Sequence, residues 1–448
     1  MIQTVENIGE KLISMLTYDA SQPLIFSSGL FLFLFAGFLF FYGFTRRAPI
    51  ARIVYVILFS LYFYYKSSGI YFLLLVFASV SDYWIAHAIY KVRTQRAKYW
   101  LVGLSILVNL GMLGYFKYTN FLIEIANNLF GQGFLNFQNI FLPVGISFFV
   151  FQSMSYTIDI CRGQLKPLNN WADYLFYLSF FPQLVAGPIV RAKDFIPQIR
   201  QNPLRVTREM FGMGVFLILI GLFKKAVISD YISLNFVDRI FDEPLLYSGF
   251  ECLMGIYGYA LQIYCDFSGY SDMAIGIALL LGFRFPKNFD APYKSATITE
   301  FWRRWHISLS TWLRDYLYIS LGGNRKGRIR TYFNLLVTML LGGLWHGAAV
   351  RFILWGALHG IALALHKLWL SVVPGSKATG AEMRWFWRIP GIFFTFNLVC
   401  FGWLMFRAES MKTVQLMLHQ IFTNFNPSVI PQVLEGYCLL YTSPSPRD

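Results

Sequence analysis

The stretch LIFSSGLFLFLFAGFLFFYGF, residues 24–44, contains no charged side chain. An α-helix needs about 20 apolar residues to cross a bilayer, whereas a strand of an outer-membrane barrel needs about 10 and alternates in polarity. Because this run is continuous, it predicts a transmembrane helix. The residues before it lack the basic head of a signal peptide, and no small-residue cleavage site follows it, so we interpret it as a retained span.

Similar apolar runs recur along the chain. The composition agrees with them, because 56% of the 448 residues are apolar and 14% are charged, against roughly a quarter charged in ordinary globular chains. The sequence therefore predicts an all-α polytopic membrane protein and excludes disordered, collagenous and repeat-scaffold classes. About ten or eleven candidate spans follow: 24–44, 50–65, 69–88, 99–116, 140–158, 174–190, 211–228, 250–283, 332–345, 352–370 and 389–406.

Basic residues indicate which loops face the cytoplasm. The net charge is +15, and Lys and Arg cluster between apolar runs at 46–52 and 91–98, as the positive-inside rule describes for cytoplasmic loops. The hairpin between these loops then turns outside the membrane at 66–68, and the N-terminal segment 1–23 is external or interfacial. This pattern favours a membrane partner and no nucleic acid. Five cysteines without paired spacing are interpreted as packing residues: Cys161, Cys252, Cys265, Cys400 and Cys438.

Two segments depart from a simple series of spans. Residues 176–190 contain Pro182, Gly187 and Pro188 and have basic residues near both ends, which favours a re-entrant segment beside an internal cavity. Residues 299–317, TEFWRRWHISLSTWLRDYL, carry too many charges to span. Their large apolar side chains share one helical face of about 120°, which predicts a continuous amphipathic helix with His306 at the edge of that face. The face comprises Phe301, Trp302, Trp305, Leu309, Trp312, Leu313 and Tyr316.

Ionisable residues inside apolar runs are costly and therefore mark candidate functional sites. Asp266 and Asp272 lie in the run 250–283, where the simplest interpretation pairs each carboxylate with an arginine of a neighbouring segment. His346 lies in LLGGLWHGAA, residues 340–349. The small neighbours leave room for another helix or a substrate beside its imidazole.

A metal site is the competing interpretation of the histidines near the C-terminus. On one continuous helix, His346, His359 and His366 would lie about 20 and 10 Å apart along the axis at 1.5 Å per residue, too far for one ion. The motifs of metalloproteases, serine hydrolases, ATPases and dinucleotide-binding enzymes are absent from the sequence. We therefore expect no metal and no permanently bound cofactor.

Four long motifs occur in one order: YCDFSGYSDMAIG at 264–276, FRFPKNFDAPY at 283–293, FWRRWHISLSTWLRDYLYISLGGNR at 301–325 and GLWHG at 343–347. With them the chain resembles the membrane-bound O-acyltransferase family, in particular the bacterial branch that O-acetylates exported polysaccharides such as alginate or peptidoglycan. The teichoic acid D-alanyl transferase is a related member. The resemblance covers residues 24–411, which we treat as one membrane domain.

The resemblance implies tilted helices around a central funnel, with His346 at the reaction centre and His306 close by. It further implies an enzyme of the bacterial inner membrane. This enzyme would pass an acyl group, preferably acetyl, from cytoplasmic acetyl-CoA or an acyl carrier protein toward an exported polysaccharide. A periplasmic esterase-like partner would complete the transfer. Supporting or substrate-binding residues are expected at Asn324, Asp315, Arg303, Trp345, Asp266 and Tyr270.

Histidine suits this chemistry, because its reference pKa near 6.5 lets it accept a hydroxyl proton at neutral pH. We assign His346 as the general base, and expect His306 or Asn324 to stabilise the oxyanion. Four alternatives stay open: a covalent acyl-histidine, D-alanyl transfer to teichoic acid, a secondary transporter or proton channel, and a noncatalytic scaffold. The segment 412–448 ends in YTSPSPRD, which suggests truncation or a non-native tail.

Overall fold

A computed structural model of the chain describes residues 10–11, 14–45, 47–201, 204–373, 375–376 and 383–431. Every regular element in these residues is helical and none is a strand, which confirms the predicted all-α class. The chain forms two compact units. The first comprises Met1–Leu219 and Tyr270–Lys287, and the second comprises Ile220–Gly269 and Asn288–Asp448. The predicted tail at 441–448 and Cys438 lie outside the described residues.

An apolar helix of the first unit, Gly29–Tyr42, contains most of the quoted stretch. Proline at the first position of the next helix, Pro49–Ser68, supplies the φ angle that a first turn needs. The helices of this unit are Gly29–Tyr42, Gly43–Thr45 (3-10), Pro49–Ser68, Gly69–Tyr71 (3-10), Phe72–Lys91, Gln95–Leu113, Gly114–Tyr118 (π), Thr119–Phe130, Ile146–Cys161, Trp171–Ser179, Phe181–Leu184, Ala192–Ile199, and Arg208–Leu222 as far as Leu219.

Two boundaries predicted from the sequence differ from the observed helix ends in this unit. The turn predicted at 66–68 is wrong in position, because these residues form the last turn of Pro49–Ser68. The helix ends at Gly69, whose φ of +59° is readily adopted only by glycine. The predicted span 174–190 is interrupted at Phe180, between Trp171–Ser179 and Phe181–Leu184. It is therefore no single straight helix, and its re-entrant path remains a prediction.

The second unit contains the motifs with the candidate histidines. Its elements are Phe223–Ser229 (π), Asp230–Ile232, Ser233–Val237 (π), Asp238–Asp242, Pro244–Leu246 (3-10), Gly249–Leu280 as far as Gly269, Pro292–Lys294 (3-10), Ile298–Arg304, Ile307–Trp312, Leu313–Tyr318 (π), Arg328–His346, Val350–Val372, Trp385–Arg407, Met411–Thr423 and Pro427–Val429 (3-10). Buried tryptophans and phenylalanines of these helices, with Cys252 and Cys400, form one apolar core. Packing is thus the observed role of these two cysteines.

The predicted continuity of the amphipathic helix is wrong, and the condition of one helix through His346 and His359 is not met. Residues 299–317 form three consecutive pieces, because the chain leaves the helix at Trp305 and His306 and resumes at Ile307. Every member of the predicted apolar face is nevertheless buried. His346 and His359 lie on different helices, Arg328–His346 and Val350–Val372. The assumed separation of about 20 Å along one helix therefore does not apply.

Among the described residues, five helical runs are long and apolar enough to cross a bilayer: Pro49–Lys91, Gln95–Phe130, Arg208–Asp242, Val350–Val372 and Trp385–Arg407. A shorter apolar helical run covers Gly29–Thr45. These runs support a multi-pass membrane protein. The total of ten or eleven spans remains a prediction, because runs such as 332–345 fall in helices outside this set.

Candidate active site

His306 occupies a short break between two helices. Thr297 and Glu300 start the first helix as a reciprocal cap: the Thr297 hydroxyl accepts from the Glu300 amide at 3.1 Å, and the Glu300 carboxylate accepts from the Ala296 amide at 3.0 Å. That helix ends at Arg304, and His306 then has φ +43° and ψ +57°. A non-glycine residue in this left-handed region costs about 1–2 kcal/mol, so its surroundings must hold it there.

The segment Asn288–Asp290 supplies that support. The Asp290 amide donates to the Arg304 carbonyl at 2.9 Å, and the Ile307 amide donates to the Asn288 carbonyl at 2.9 Å. These two bonds connect the segment to both sides of the break. The sequence analysis quoted this segment within FRFPKNFDAPY but did not select Asn288 as a site residue.

The imidazole of His306 is buried, with 1% of the residue exposed. Its Nδ1 lies 3.2 Å from Oδ1 of Asn288, and its ring meets the Phe267 ring edge to face at a centroid separation of 4.6 Å. Its Nε2 has no hydrogen-bond partner among the described residues. His306 lies outside the candidate spans, and burial, followed by the charge of His346, holds its pKa well below the usual value. The ring is therefore neutral at neutral pH.

His346 is the last residue of helix Arg328–His346, and the glycines around it are required by packing. A Cβ on Gly343 would lie 2.1 Å from the Phe352 carbonyl oxygen, and one on Gly347 would lie 1.9 Å from the Phe352 ring. Both positions therefore need glycine for helix Val350–Val372 to approach so closely. The motif GLWHG thus forms the tight end of a helical hairpin, with His346 at the turn.

Trp345 brings the two candidate histidines together. Its buried indole lies 6.4 Å from the His306 ring and 4.9 Å from the His346 ring, centroid to centroid. His346 also meets Trp355 at 5.2 Å and Phe406 at 5.1 Å, both edge to face. Residues 40 positions apart in the sequence, 306 and 346, therefore share one aromatic environment. This arrangement agrees with the proximity that the family resemblance implied.

Several buried polar atoms near the two histidines have no hydrogen-bond partner among the described residues. Within the part of the chain that the structure describes, both nitrogens of His359 and the indole nitrogens of Trp302 and Trp355 have no hydrogen-bond partner. His359 is fully buried and lies 4.8 Å from Trp355. A buried polar group without a partner costs about 1–3 kcal/mol, so a bound molecule that supplied partners to these atoms would gain from the contact. In the same part of the chain, no group of three or more His, Cys, Asp or Glu residues could hold a metal ion.

Three other predicted residues lie on exposed or half-buried surface of the second unit. Arg303 is exposed. Asp315 is paired with Arg314, whose Nε lies 2.6 Å from the carboxylate. Asn324 is exposed and lines a cavity of about 300 Å³ together with Arg328 and Lys367. Neither His306 nor His346 lines that cavity, so the expected oxyanion role of Asn324 remains a prediction.

The two residues predicted from YCDFSGYSDMAIG fall in different units. Asp266 forms an ion pair with Lys225 at 2.6 Å, and Lys225 also reaches Asp230 at 2.7 Å. The expected pairing of Asp266 is observed with a lysine instead of an arginine, and its supporting role at the site remains a prediction. Tyr270 belongs to the first unit, where it stacks on Phe26 at 4.6 Å.

Residues 164–410 match the profile of the family described as MBOAT, membrane-bound O-acyltransferase family. The match covers more than half of the chain. The chain belongs to this family. It is therefore an O-acyltransferase by family, and the apolar helices agree with the membrane-bound character in the family's description.

Curated relatives agree with the family assignment. A protein of Azotobacter vinelandii named "Probable alginate O-acetylase AlgI" is 44% identical over 406 residues, which cover 89% of this chain and 78% of the relative. The "Peptidoglycan O-acetyltransferase" of Helicobacter pylori is 37% identical over 428 residues, covering 88% and 79%. A "Teichoic acid D-alanyltransferase" of Streptococcus thermophilus is 31% identical over 337 residues, covering 70% and 77%.

The sequence analysis missed several residues that border the two histidines: Asn288, Phe352, Trp355 and Phe406. Asn288 and Phe406 lie within stretches typical of the family, FRFPKNFDAPY and GWLMFRAES. An inspection of polar residues in those stretches would have found Asn288. For Trp355 the sequence offers no local signal, because its role depends on the hairpin that places it over His346.

Proposed function

We propose that this protein transfers an acyl group, by preference acetyl, from a cytoplasmic thioester across the bacterial inner membrane toward hydroxyls of an exported cell-surface polysaccharide. The relatives named for alginate and peptidoglycan acetylation are 44% and 37% identical, against 31% for the D-alanyl transferase. This difference favours acetyl over D-alanyl. The same relatives are the reason for a polysaccharide acceptor.

The observation that carries the proposal is the proximity of His306 and His346 to one buried indole, that of Trp345. Acyl transfer between a thioester and an alcohol requires one group that removes the hydroxyl proton. Imidazoles beside buried aromatic rings suit this task better than carboxylates, because histidine has a reference pKa near neutral pH. The carboxylate of Asp266 is paired with Lys225.

In the proposed reaction, His346 accepts the proton of the acceptor hydroxyl while the hydroxyl oxygen attacks the carbonyl carbon of the thioester. The resulting tetrahedral intermediate collapses, the carbon–sulfur bond breaks and the ester remains on the acceptor. The imidazolium of His346 then returns the proton to the thiolate, so the enzyme ends in its starting state. His346 serves as general base in the first step and general acid in the second.

The donor and the partners follow from charge and topology. The loops at 191–208 and 284–304 are rich in Lys and Arg, and basic loops attract acidic donors such as acetyl-CoA or an acyl carrier protein. By the positive-inside rule these loops face the cytoplasm, whereas an exported polysaccharide lies on the other side. A periplasmic esterase-like partner would then receive the acyl group and complete transfer to the polymer.

The test uses purified full-length protein in liposomes with radiolabelled acetyl-CoA and an oligosaccharide acceptor. We expect label transfer by the unmodified protein and a loss of about 10²–10⁴-fold in His346→Ala, the range for removal of a general base. The matched control is His419→Ala, because His419 is exposed on helix Met411–Thr423 and bonds only locally to Thr423. Transfer retained by His346→Ala would overturn the assignment of the base.

Two further arms separate the competing functions. A carrier protein loaded with labelled D-alanine replaces acetyl-CoA in the first, and transfer from that donor alone would replace acetyl by D-alanyl. Uptake of a small solute or of protons into the same liposomes is measured in the second. Uptake without any acyl transfer would identify a transporter and overturn the enzyme proposal.

A further inference from the structure

The amide of Ser308 identifies which atom of Asn288 faces His306. Asn288 Oδ1 lies 3.2 Å from the backbone N–H of Ser308 and 2.9 Å from the Ser308 hydroxyl. A backbone N–H can only donate, so the atom opposite it must be the carbonyl oxygen of the side-chain amide and not its NH₂ group. The orientation of Asn288 therefore does not depend on how its nearly symmetric amide is assigned.

The same oxygen determines the tautomer of His306. His306 Nδ1 lies 3.2 Å from Asn288 Oδ1, and an oxygen that only accepts requires Nδ1 to carry the proton. A neutral imidazole has one proton, so Nε2 then holds a lone pair. This Nε2 is buried and has no hydrogen-bond partner among the described residues.

The ring is held in this orientation from several sides. The bonds from Asp290 to Arg304 and from Ile307 to Asn288 fix the backbone on both sides of His306. Phe267 packs edge to face on one side of the ring, and Phe289 stacks at 6.3 Å. A ring flip would place the bare nitrogen against the Asn288 oxygen, where two acceptors repel.

We propose that Asn288 is a positioning residue that holds His306 as the Nδ1–H tautomer, so that Nε2 accepts a hydrogen bond from a second hydroxyl of the acceptor sugar, beside the hydroxyl whose proton His346 removes. The proposal rests on the proposed function, because it gives His306 a place in acyl transfer. It also replaces the oxyanion role expected from the sequence. A neutral ring with a lone pair at Nε2 repels an oxyanion, and burial opposes the second proton that would make Nε2 a donor.

The direct test is the ¹⁵N spectrum of the histidines in the full-length protein in lipid, with His306→Gln used to assign the His306 signals. We expect a protonated Nδ1 and an unprotonated Nε2 in the unmodified protein. The opposite tautomer would overturn the proposal. This measurement needs no variant other than the assignment control and does not depend on catalytic activity.

Three variants of the residues bonded around His306 distinguish a positioning role from a purely structural one. Asn288→Ala removes the acceptor, and we expect mixed tautomers and a kcat lower by about a hundredfold, with the donor KM little changed. Asn288→Asp keeps an acceptor oxygen and should restore the tautomer. Ser308→Ala removes a hydrogen bond to the same oxygen, together with the hydroxyl that lies 3.5 Å from His306 Nδ1, but it keeps the contact between Asn288 and His306. The tautomer should therefore persist and kcat should stay within about threefold.

The outcomes also distinguish this inference from the proposed function. If the protein shows the expected tautomer but transfers no acyl group, the proposed function is overturned and the tautomer assignment stands. A second outcome would overturn the role of Asn288 alone. In it, acyl transfer depends on His346, but the tautomer of His306 is unchanged in Asn288→Ala.

Discussion

The buried polar side chains around Asp82 in the first unit and around the candidate histidines in the second differ in how their polar atoms are bonded. Around Asp82, Ser105 donates to one carboxylate oxygen at 2.6 Å, and Asn109 at 2.6 Å and Ser153 donate to the other. Around the candidate histidines of the second unit, by contrast, Nε2 of His306 and both nitrogens of His359 have no partner among the described residues. Both Asp82 and His306 are buried, at 0% and 1% exposure.

The difference shows how a structural polar group is separated from a functional candidate. An ionisable residue in an apolar run is a candidate by default because burial is costly. Where each oxygen is bonded to neighbouring side chains, that cost is offset and the group holds helices together. Where nitrogens are buried without partners, the fold retains a cost of about 1–3 kcal/mol for each, which a substrate can relieve. Asp82 therefore belongs to the first class and His306 to the second.

The largest effect is expected from breaking the Asp82 network. Asp82→Ala leaves the donors of Ser105, Asn109 and Ser153 without their acceptor, and we expect the free energy of unfolding to fall by about 3–5 kcal/mol. Unfolding in detergent micelles measures it. The control is Asp19→Ala, because the Asp19 carboxylate accepts from the Ser21 amide and hydroxyl in an exposed turn. Full stability combined with lost acyl transfer in Asp82→Ala would place Asp82 in the functional class and break the comparison.

The next effect concerns the hairpin that carries His346. Gly343→Ala would put a Cβ 2.1 Å from the Phe352 carbonyl oxygen, so the two helices must move apart. A displacement of about 1 Å at a catalytic group can cost about a hundredfold in rate, and we expect a loss of that order in kcat for acyl transfer.

Gly342 provides the matched control for this substitution. A Cβ on Gly342 would meet only Leu313 Cδ1, at 3.2 Å, the end of a flexible side chain. Gly342→Ala should therefore keep kcat within about threefold, since overpacking at a yielding contact shifts geometry little. Equal losses in both variants would show that the tight approach at Gly343 does not position His346.

The fold class could be predicted from the sequence because it depends on local composition. The face of Phe301, Trp305 and Leu309 is buried as its spacing predicted. The break at His306 could not be predicted in this way, because the bonds that hold it come from Asn288 and Asp290, outside the helical pattern. Periodicity describes one segment at a time and contains no information about its partners.

The candidate site was predicted only in part, and that part depended on the family resemblance instead of on local composition. The proximity of His306 and His346 came from the family resemblance, since 40 intervening residues give no distance. Neither Asn288 nor Trp355 was selected, because their contacts depend on the tertiary arrangement of the hairpin and of the segment before Ile298. Asn324 and Asp315 share a motif with His306, yet Asn324 lines a different cavity and Asp315 pairs with Arg314.

The smallest effect is expected at Asp266, another ionisable candidate in the second unit. Asp266→Asn removes one of two carboxylates from Lys225, which keeps Asp230 at 2.7 Å. The Asp266 side chain is 48% exposed, and ion pairs between exposed groups contribute about 0–1 kcal/mol. We therefore expect unfolding free energy to change by less than about 1 kcal/mol and acyl transfer by less than about threefold.

A double-mutant cycle with Asp230→Asn sharpens this last comparison. In the double variant Lys225, whose side chain is 25% exposed, loses both partners, so the combined loss of unfolding free energy should exceed the sum of the single losses. Such coupling would assign Asp266 to the satisfied class that Asp82 exemplifies. Additive stability effects together with a tenfold or greater loss of transfer in Asp266→Asn alone would instead show that this carboxylate acts on the substrate, as an intramembrane acid of a functional site would.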